Sequence, residues 1–239
     1  MIKIGLIGYG QMGRVLEATA RERGHEIVFI IDAENRDQMT PDLLRQATVV
    51  LEFTHPDAAF PNIRACLEAG VPVVSGTTGW LHRMDEAREL CEQNQCGLFY
   101  ASNFSLGVNL FMELNEGLAR LMDRYPQYRV RLEEVHHTRK ADAPSGTALA
   151  LANQLIGGIE RLEGWSDDLI PDPSLVQVTS IREGQVTGIH EIHFISGEDK
   201  ITIRHEAFNR QGFATGAILA AEFLPGRRGV FSMKDLLSI

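Results

Sequence analysis

The chain has 239 residues, 44% hydrophobic and 23% charged, and its 23 Lys and Arg against 32 Asp and Glu leave a net charge of −9. These values exclude a disordered chain, a collagen-like chain and a disulfide-stapled miniprotein, and they fit one large or two small globular domains. An acidic surface repels phosphate backbones, so no nucleic-acid partner is expected, and an anionic substrate must meet a local basic cluster. The three cysteines, Cys66, Cys91 and Cys96, are odd in number and have no metal-ligand spacing, as expected of reduced thiols packed as small apolar side chains. The start, Met1 to Gly8, breaks into glycines too early for a signal peptide, and no run of about 18 apolar residues occurs. A soluble, cytoplasmic protein with no membrane partner is expected.

Ile2 to Ile7 reads as a buried parallel strand, Arg14 to Arg23 as a helix closed by Gly24, and His25 to Ile31 as a second strand ending at Asp32. Residues 33–46 are polar and predict a turn and a short helix. Thr48 to Phe53 is a third strand, Pro56 to Ala69 a helix closed by Gly70, and Val71 to Val74 a fourth strand. Leu81 to Gln93 is helical and Gly97 to Ala101 is a fifth strand. Strands alternating with helices imply an α/β fold, a Rossmann-like doubly wound parallel sheet.

The pattern changes near residue 105. Val108 to Asp123 is an amphipathic helix, Tyr128 to Val135 a half-exposed strand, and Ala148 to Ile156 a helix. Residues 157–173 are rich in Gly, Asp and Pro and predict a loop. Val176 to Ile181, Val186 to Ile195 and Lys200 to Phe208 alternate with period two, as in antiparallel strands of an open sheet. Thr215 to Leu224 is an Ala-rich helix, and Val230 to Leu237 closes the chain. The second region is therefore α+β, with an open mixed or antiparallel sheet.

Gly8-Tyr9-Gly10-Gln11-Met12-Gly13 follows a strand and opens a helix, and Asp32 stands about twenty residues on at the next strand's end. In that context the glycines permit a tight turn, the helix N-terminus faces a pyrophosphate, and Asp32 accepts from the adenosine ribose. An acid there favours NADH over NADPH; Arg36 keeps NADPH open. Ser75-Gly76-Thr77-Thr78-Gly79 follows the fourth strand. It reads equally as a coenzyme-binding turn and as an ordinary strand-to-helix turn. Ala101-Ser102-Asn103-Phe104 after the fifth strand is similar, and it lies where the chain leaves the first domain.

His136, His137, Arg139 and Lys140 put four potential cations within five positions. Such a cluster suits a dicarboxylate, and histidine exchanges protons near neutral pH. The helix start at Pro144-Ser145-Gly146-Thr147 adds amides for a second carboxylate. The bland reading is a basic loop over neighbouring acids. No metal is expected: His190 and His193 do not form a zinc motif, fall on opposite faces of a strand, and are expected at the surface or edge of the sheet.

Together these motifs resemble the dihydrodipicolinate reductases (4-hydroxy-tetrahydrodipicolinate reductases) of lysine biosynthesis. The likeness covers Gly8 to Gly13, Phe53-Thr54-x-Pro56, Gly76 to Gly79, Asn103 to Asn109, and Glu134-x-His-His-x-x-Lys-x-Asp-Ala-Pro-Ser-Gly-Thr147. It continues through Arg182-Glu183-Gly184, Gly188-x-His190-Glu191 and Phe231 to Leu236. It implies NAD(P)H-dependent reduction of a cyclic dicarboxylate imine to tetrahydrodipicolinate, with hydride passing from nicotinamide C4 to the ring. It implies His136 as general acid/base, Lys140 as its cationic partner and proton donor, and His137, Gly146 and Thr147 on the substrate carboxylates. Gly8 to Gly13, Asp32, Gly76 to Thr78 and Ala101 to Phe104 would hold the coenzyme. It further implies a homotetramer built through the second domain's sheet and two domains that close over the ligands. Residues 1–105 with 216–239 would bind the dinucleotide, and 106–215 the substrate and neighbouring subunits.

The chain departs from many relatives in a shortened 157–180 region, in Leu219 where Arg is common, and in lacking a basic residue beside Asp32. Another two-domain dehydrogenase or an NAD-sensing protein are the competing readings. The His-His-x-x-Lys run argues against both, because the first scaffold lacks it and the second would not need its proton-transfer groups.

Overall fold

The structure is a computed structural model and describes residues 1–168 and 172–238. The first half runs β1 (Lys3–Ile7), α1 (Gln11–Glu22), β2 (Glu26–Ile31), α2 (Pro41–Leu44), β3 (Val49–Glu52), α3 (Pro56–Glu68), β4 (Val73–Ser75), α4 (Met84–Gln93) and β5 (Gly97–Tyr100). Then follow α5 (Leu106–Met122), β6 (Arg129–His136), α6 (Gly146–Gly158), β7 (Gly164–Ser166), β8 (Leu175–Arg182), β9 (Gly188–Ile195) and β10 (Lys200–Ala207). The chain ends with α7 (Gln211–Phe223), β11 (Gly229–Phe231) and α8 (Met233–Leu237). Two compact units result: Met1–Leu106 with Gln211–Ile239, and Gly107–Arg210.

The first unit is a parallel six-stranded sheet in the order β11-β5-β4-β3-β1-β2. Its strands are near-continuous apolar runs because helices cover both faces. On one face Ile7, Val50, Val73 and Leu98 pack against α3 and α4 through Ala59, Ile63, Leu67 and Cys91. On the other, Leu6, Leu51, Val74 and Phe99 meet α1, α7 and α8 through Leu16, Ala217, Ile218 and Met233. The order of strands reverses between β1 and β3, which opens a crevice at their carboxyl ends.

The second unit is a five-stranded sheet in the order β10-β9-β6-β8-β7. Helices α5 and α6 cover one face, packing Phe111, Ala119, Leu151 and Leu155 on Leu132, Val178, Ile192 and Phe194. β9 is antiparallel to β6 and β10, whereas β8 runs parallel to β6 and β7 parallel to β8. The sheet is therefore mixed, and the antiparallel expectation for β8 does not hold. The reason is topological: α6 lies between β6 and β8, and a helical crossover returns the chain in the same direction. Within the expected 157–173 loop, residues 164–166 form β7, and residues 169–171 lie outside the described residues.

Candidate active site

In the first unit the turn after β1 is built by Gly8 and Gly10. Gly8 has φ +97°, and a Cβ there would sit 2.1 Å from the Phe53 carbonyl oxygen, so only glycine fits. A Cβ on Gly10 would point into open space. Gly10 caps α1 with no side-chain hydrogen bond, so the helix start faces that space with backbone alone. A cavity of about 520 Å³ opens there, lined by Gly8, Tyr9, Gly10, Asp32, Arg36 and Thr54 among others. A second, of about 300 Å³, is lined by Met12, Gly76, Thr77, Ser102, Asn103 and Phe104 among others. Phe53 and Thr54 line both.

These ten expected residues thus line two adjoining cavities at the strands' carboxyl ends. The other four expected coenzyme residues line neither. Gln11 and Thr78 are exposed, Gly13 is buried in α1, and Ala101 packs in the core. Asp32 is held in a turn in which its Oδ1 accepts from the Glu34 amide (2.9 Å) and its amide donates to Asn35 Oδ1 (2.7 Å). A glycine turn against a helix start with no side-chain cap, an open Gly10 and an acid at the β2 end fit a dinucleotide.

In the second unit one row of side chains changes character along each central strand. The helix-facing positions read Val130, Leu132, Glu134, His136 on β6; Val176, Val178, Ser180, Arg182 on β8; and Phe194, Ile192, His190, Gly188 on β9. Registry places Glu134 beside both Ser180 and His190, and His136 beside Arg182. The apolar ends make the core, and the polar ends meet as one cluster.

Glu134 is fully buried at the centre of that cluster. Its Oε1 accepts from the Ser145 amide (3.0 Å), Ser180 Oγ (2.8 Å) and Arg182 Nη2 (2.9 Å). Its Oε2 lies 3.3 Å from His136 Nδ1, an ion-pair separation without hydrogen-bond alignment, and 3.8 Å from His190 Nε2. Burial works against the carboxylate, but His136, Ser145, Arg182 and Ser180 together hold Glu134 far below the usual carboxylate range. Burial, then the neighbouring His136, pushes His190 down to about 4. His190 is only 5% exposed. The expectation of a surface or edge position fails because β9 is an inner strand and this side chain faces the helices.

Glu134, His136 and His190 offer three ligand atoms within 4.8 Å of one another. Arg182 already balances this carboxylate, which leaves less negative charge to hold a metal cation. The imidazole rings of His136 and His190 meet edge to face at 5.2 Å. A Cβ on Gly188 would sit 3.2 Å from His136 Nε2, so that glycine gives the ring its space.

The loop after β6 carries the remaining expected residues. His137 is half-buried, and burial followed by the charge of Arg139 and Arg210 lowers its proton affinity. Lys140 donates its amide to the His137 carbonyl (3.1 Å) and its Nζ to Asp142 (2.8 and 3.0 Å). Arg182 Nη2 also donates to the Asp142 carbonyl (2.6 Å). Ser145 caps α6 by accepting from the Ala148 amide (3.1 Å), which leaves Gly146 and Thr147 as the first residues of the helix. Glu134 thus ties the basic loop and the α6 start to the sheet. Sequence reading named Glu134 and Arg182 only as parts of motifs. The signal that would have found them is the switch from apolar to ionisable residues along one strand face.

A family model described as "Dihydrodipicolinate reductase, N-terminus" matches residues 2–104, and one described as "Dihydrodipicolinate reductase, C-terminus" matches residues 107–237. A 4-hydroxy-tetrahydrodipicolinate reductase of Christiangramia forsetii is 45% identical over 99% of this chain and 98% of its own. One from Paraburkholderia phymatum is 32% identical over the whole of both chains. The solved dipicolinate-bound dihydrodipicolinate reductase from Paenisporosarcina sp. TG-14 has the same fold, with a TM-score of 0.77, 23% identity and 97% coverage of each chain.

Proposed function

Since this chain belongs to the dihydrodipicolinate reductase family and works as a 4-hydroxy-tetrahydrodipicolinate reductase, an NAD(P)H-dependent oxidoreductase, we propose a role for each side chain named above. Bound NAD(P)H supplies the hydride, and the chain's own residues bind, orient and protonate. The first unit holds the dinucleotide, with Gly8, Tyr9, Gly10 and Asp32 on the adenosine and pyrophosphate side. Met12, Gly76, Thr77, Ser102, Asn103 and Phe104 hold the nicotinamide side. Backbone at Gln11, Gly13, Thr78 and Ala101 completes those turns. Asp32 favours NADH, since a 2′-phosphate would meet its carboxylate.

The second unit holds the cyclic dicarboxylate imine. His137 and Lys140 face one carboxylate, and the amides of Gly146 and Thr147 at the start of α6 take the other. As the ring accepts hydride, negative charge grows on it and needs a proton and a nearby cation, and the 4-hydroxyl of a 4-hydroxy ring leaves as water. His136 and Lys140 supply both. Glu134 Oε2 faces the Nδ1 edge of His136 at 3.3 Å, so that Nε2 is the edge left to exchange the proton.

The observation that carries this reading is one buried carboxylate, Glu134, that accepts from Arg182 and from the Ser145 amide at the start of α6 and whose other oxygen lies 3.3 Å from His136 Nδ1. The product, tetrahydrodipicolinate, places the reaction in diaminopimelate and lysine biosynthesis. The three buried, free thiols support a cytoplasmic setting. Homotetramers would form through the sheet face opposite α5 and α6, where Val135, Ile181, Ile189 and Ile195 are only partly buried. The test is coenzyme consumption by purified protein, with the substrate made in place by a synthase from pyruvate and aspartate semialdehyde. Substrate-dependent loss of NADH absorbance, faster than with NADPH, supports the assignment; no loss with NADH bound rejects it.

A further inference from the structure

Glu52 is the last residue of β3 and is fully buried. Its two carboxylate oxygens are held by hydroxyls rather than by a cation. Oε2 accepts from Ser75 Oγ at 2.8 Å, and Oε1 accepts from Thr54 Oγ1. Burying a carboxylate against two hydroxyls is costly compared with an apolar residue, and β3 is otherwise Val49, Val50 and Leu51.

What the carboxylate holds lies at the edge of both cavities. Ser75 pairs with Glu52 across the β3–β4 ladder and is followed by Gly76 and Thr77. The Gly76 amide donates to the Glu52 carbonyl (3.0 Å), and the Thr54 amide donates to Thr77 Oγ1 (2.8 Å). Side chain and backbone of Glu52 together thus fix Thr54, Ser75 and the Gly76–Thr77 turn. Gly76 and Thr77 line the smaller cavity, and Thr54 lines both. Asp32 and Arg36 also line the larger cavity, and the Asp32 bonds go to Glu34 and Asn35 rather than to this network.

We propose that Glu52 is a positioning residue for the coenzyme: it sets the Gly76–Thr77 turn that receives the nicotinamide half, and it reaches the ADP-ribose half only through Thr54. This rests on the reading that the dinucleotide spans the two cavities. A carboxylate fits the task because it accepts from two hydroxyl donors at once on diverging sides, which a glutamine, with one oxygen, does not.

The test compares affinities for NADH and for ADP-ribose in the full-length wild type, Glu52→Gln and Ser75→Ala. Losing one hydrogen bond to a charged group corresponds to roughly tenfold in affinity. NADH binding should weaken by about that factor in both variants while ADP-ribose binding changes less than about twofold, and Glu52→Asp should recover part of the loss. A merely structural role would weaken both ligands together or neither, and either outcome overturns the proposal. Where Glu52→Gln fails to fold, Ser75→Ala alone decides by the same ratio. A wild type that binds neither ligand would instead remove the dinucleotide reading beneath it.

Discussion

His136 Nδ1 lies 3.3 Å from Glu134 Oε2, two residues apart on the same face of β6. The other oxygen of that carboxylate takes three donors, one of them Arg182, whose side chain is 19% exposed. Glu134→Gln removes the charge and keeps the shape. Removing one member of a buried pair leaves the other uncompensated, at a cost of about 3–5 kcal/mol. The variant should melt well below the wild type and lose turnover even where it is folded. A thermal melt and a rate measured below both transitions check this; unchanged values would remove Glu134 from the account.

Stability should fall on acidification in two stages. His190 is pushed from 6.5 down to about 4 in the folded protein. The unfolded chain therefore binds the extra proton first, and stability is lost as pH falls from about 6.5 to about 4, by roughly 3 kcal/mol. Glu134, held below its ordinary 4.5, contributes stability that is lost only as pH falls further, through its folded value. Urea midpoints between pH 7 and pH 4 should show the first slope in the wild type and a flatter one in His190→Gln. Equal slopes would contradict the buried, neutral assignment of His190.

Two glycines of one turn should behave differently. Gly8→Ala meets both a left-handed φ and a backbone oxygen 2.1 Å away, so it should lower the melting temperature sharply. Gly10→Ala meets nothing within 4 Å and has an ordinary φ of −76°. It should fold like the wild type and still weaken NADH binding, because the added methyl occupies the coenzyme's approach. Calorimetry with and without NADH separates the two effects.

Coenzyme choice should move with Asp32 and Arg36, which both line the larger cavity. Asp32→Ala should raise KM for NADH more than for NADPH, since on the proposed reading it would remove the ribose acceptor and the repulsion of a 2′-phosphate together. Arg36→Ala should raise KM for NADPH more. The reverse order in either variant would sink the ribose assignment.

The parallel first sheet was legible because buried strands and amphipathic helices alternate with glycine stops, from Ile2 to Ala101. The glycine fingerprint was legible because strand, turn, helix and Asp32 constrain one another. The pairing of β8 was not. Alternation in Val176 to Ile181 gives the face of each side chain but not the neighbour, and only the α6 crossover fixes a parallel β6. Three-residue β7, Gly164-Trp165-Ser166, is too short for any period to register. His190 was misplaced for a related reason: spacing separates it from His193 but does not say that β9 is an inner strand. Glu134 and Arg182 sit 48 residues apart in sequence and meet only through registry.

On the proposed mechanism, His136 supplies the proton that accompanies reduction of the dicarboxylate. The most direct measurement is kcat of wild type and His136→Ala with the substrate formed in place, alongside the NADH dissociation constant of each. Positioned acid catalysis is worth about 10²–10⁴-fold, so kcat should fall by at least about a hundredfold with NADH affinity nearly unchanged. A His136→Ala variant that turns over at the wild-type rate would contradict the account.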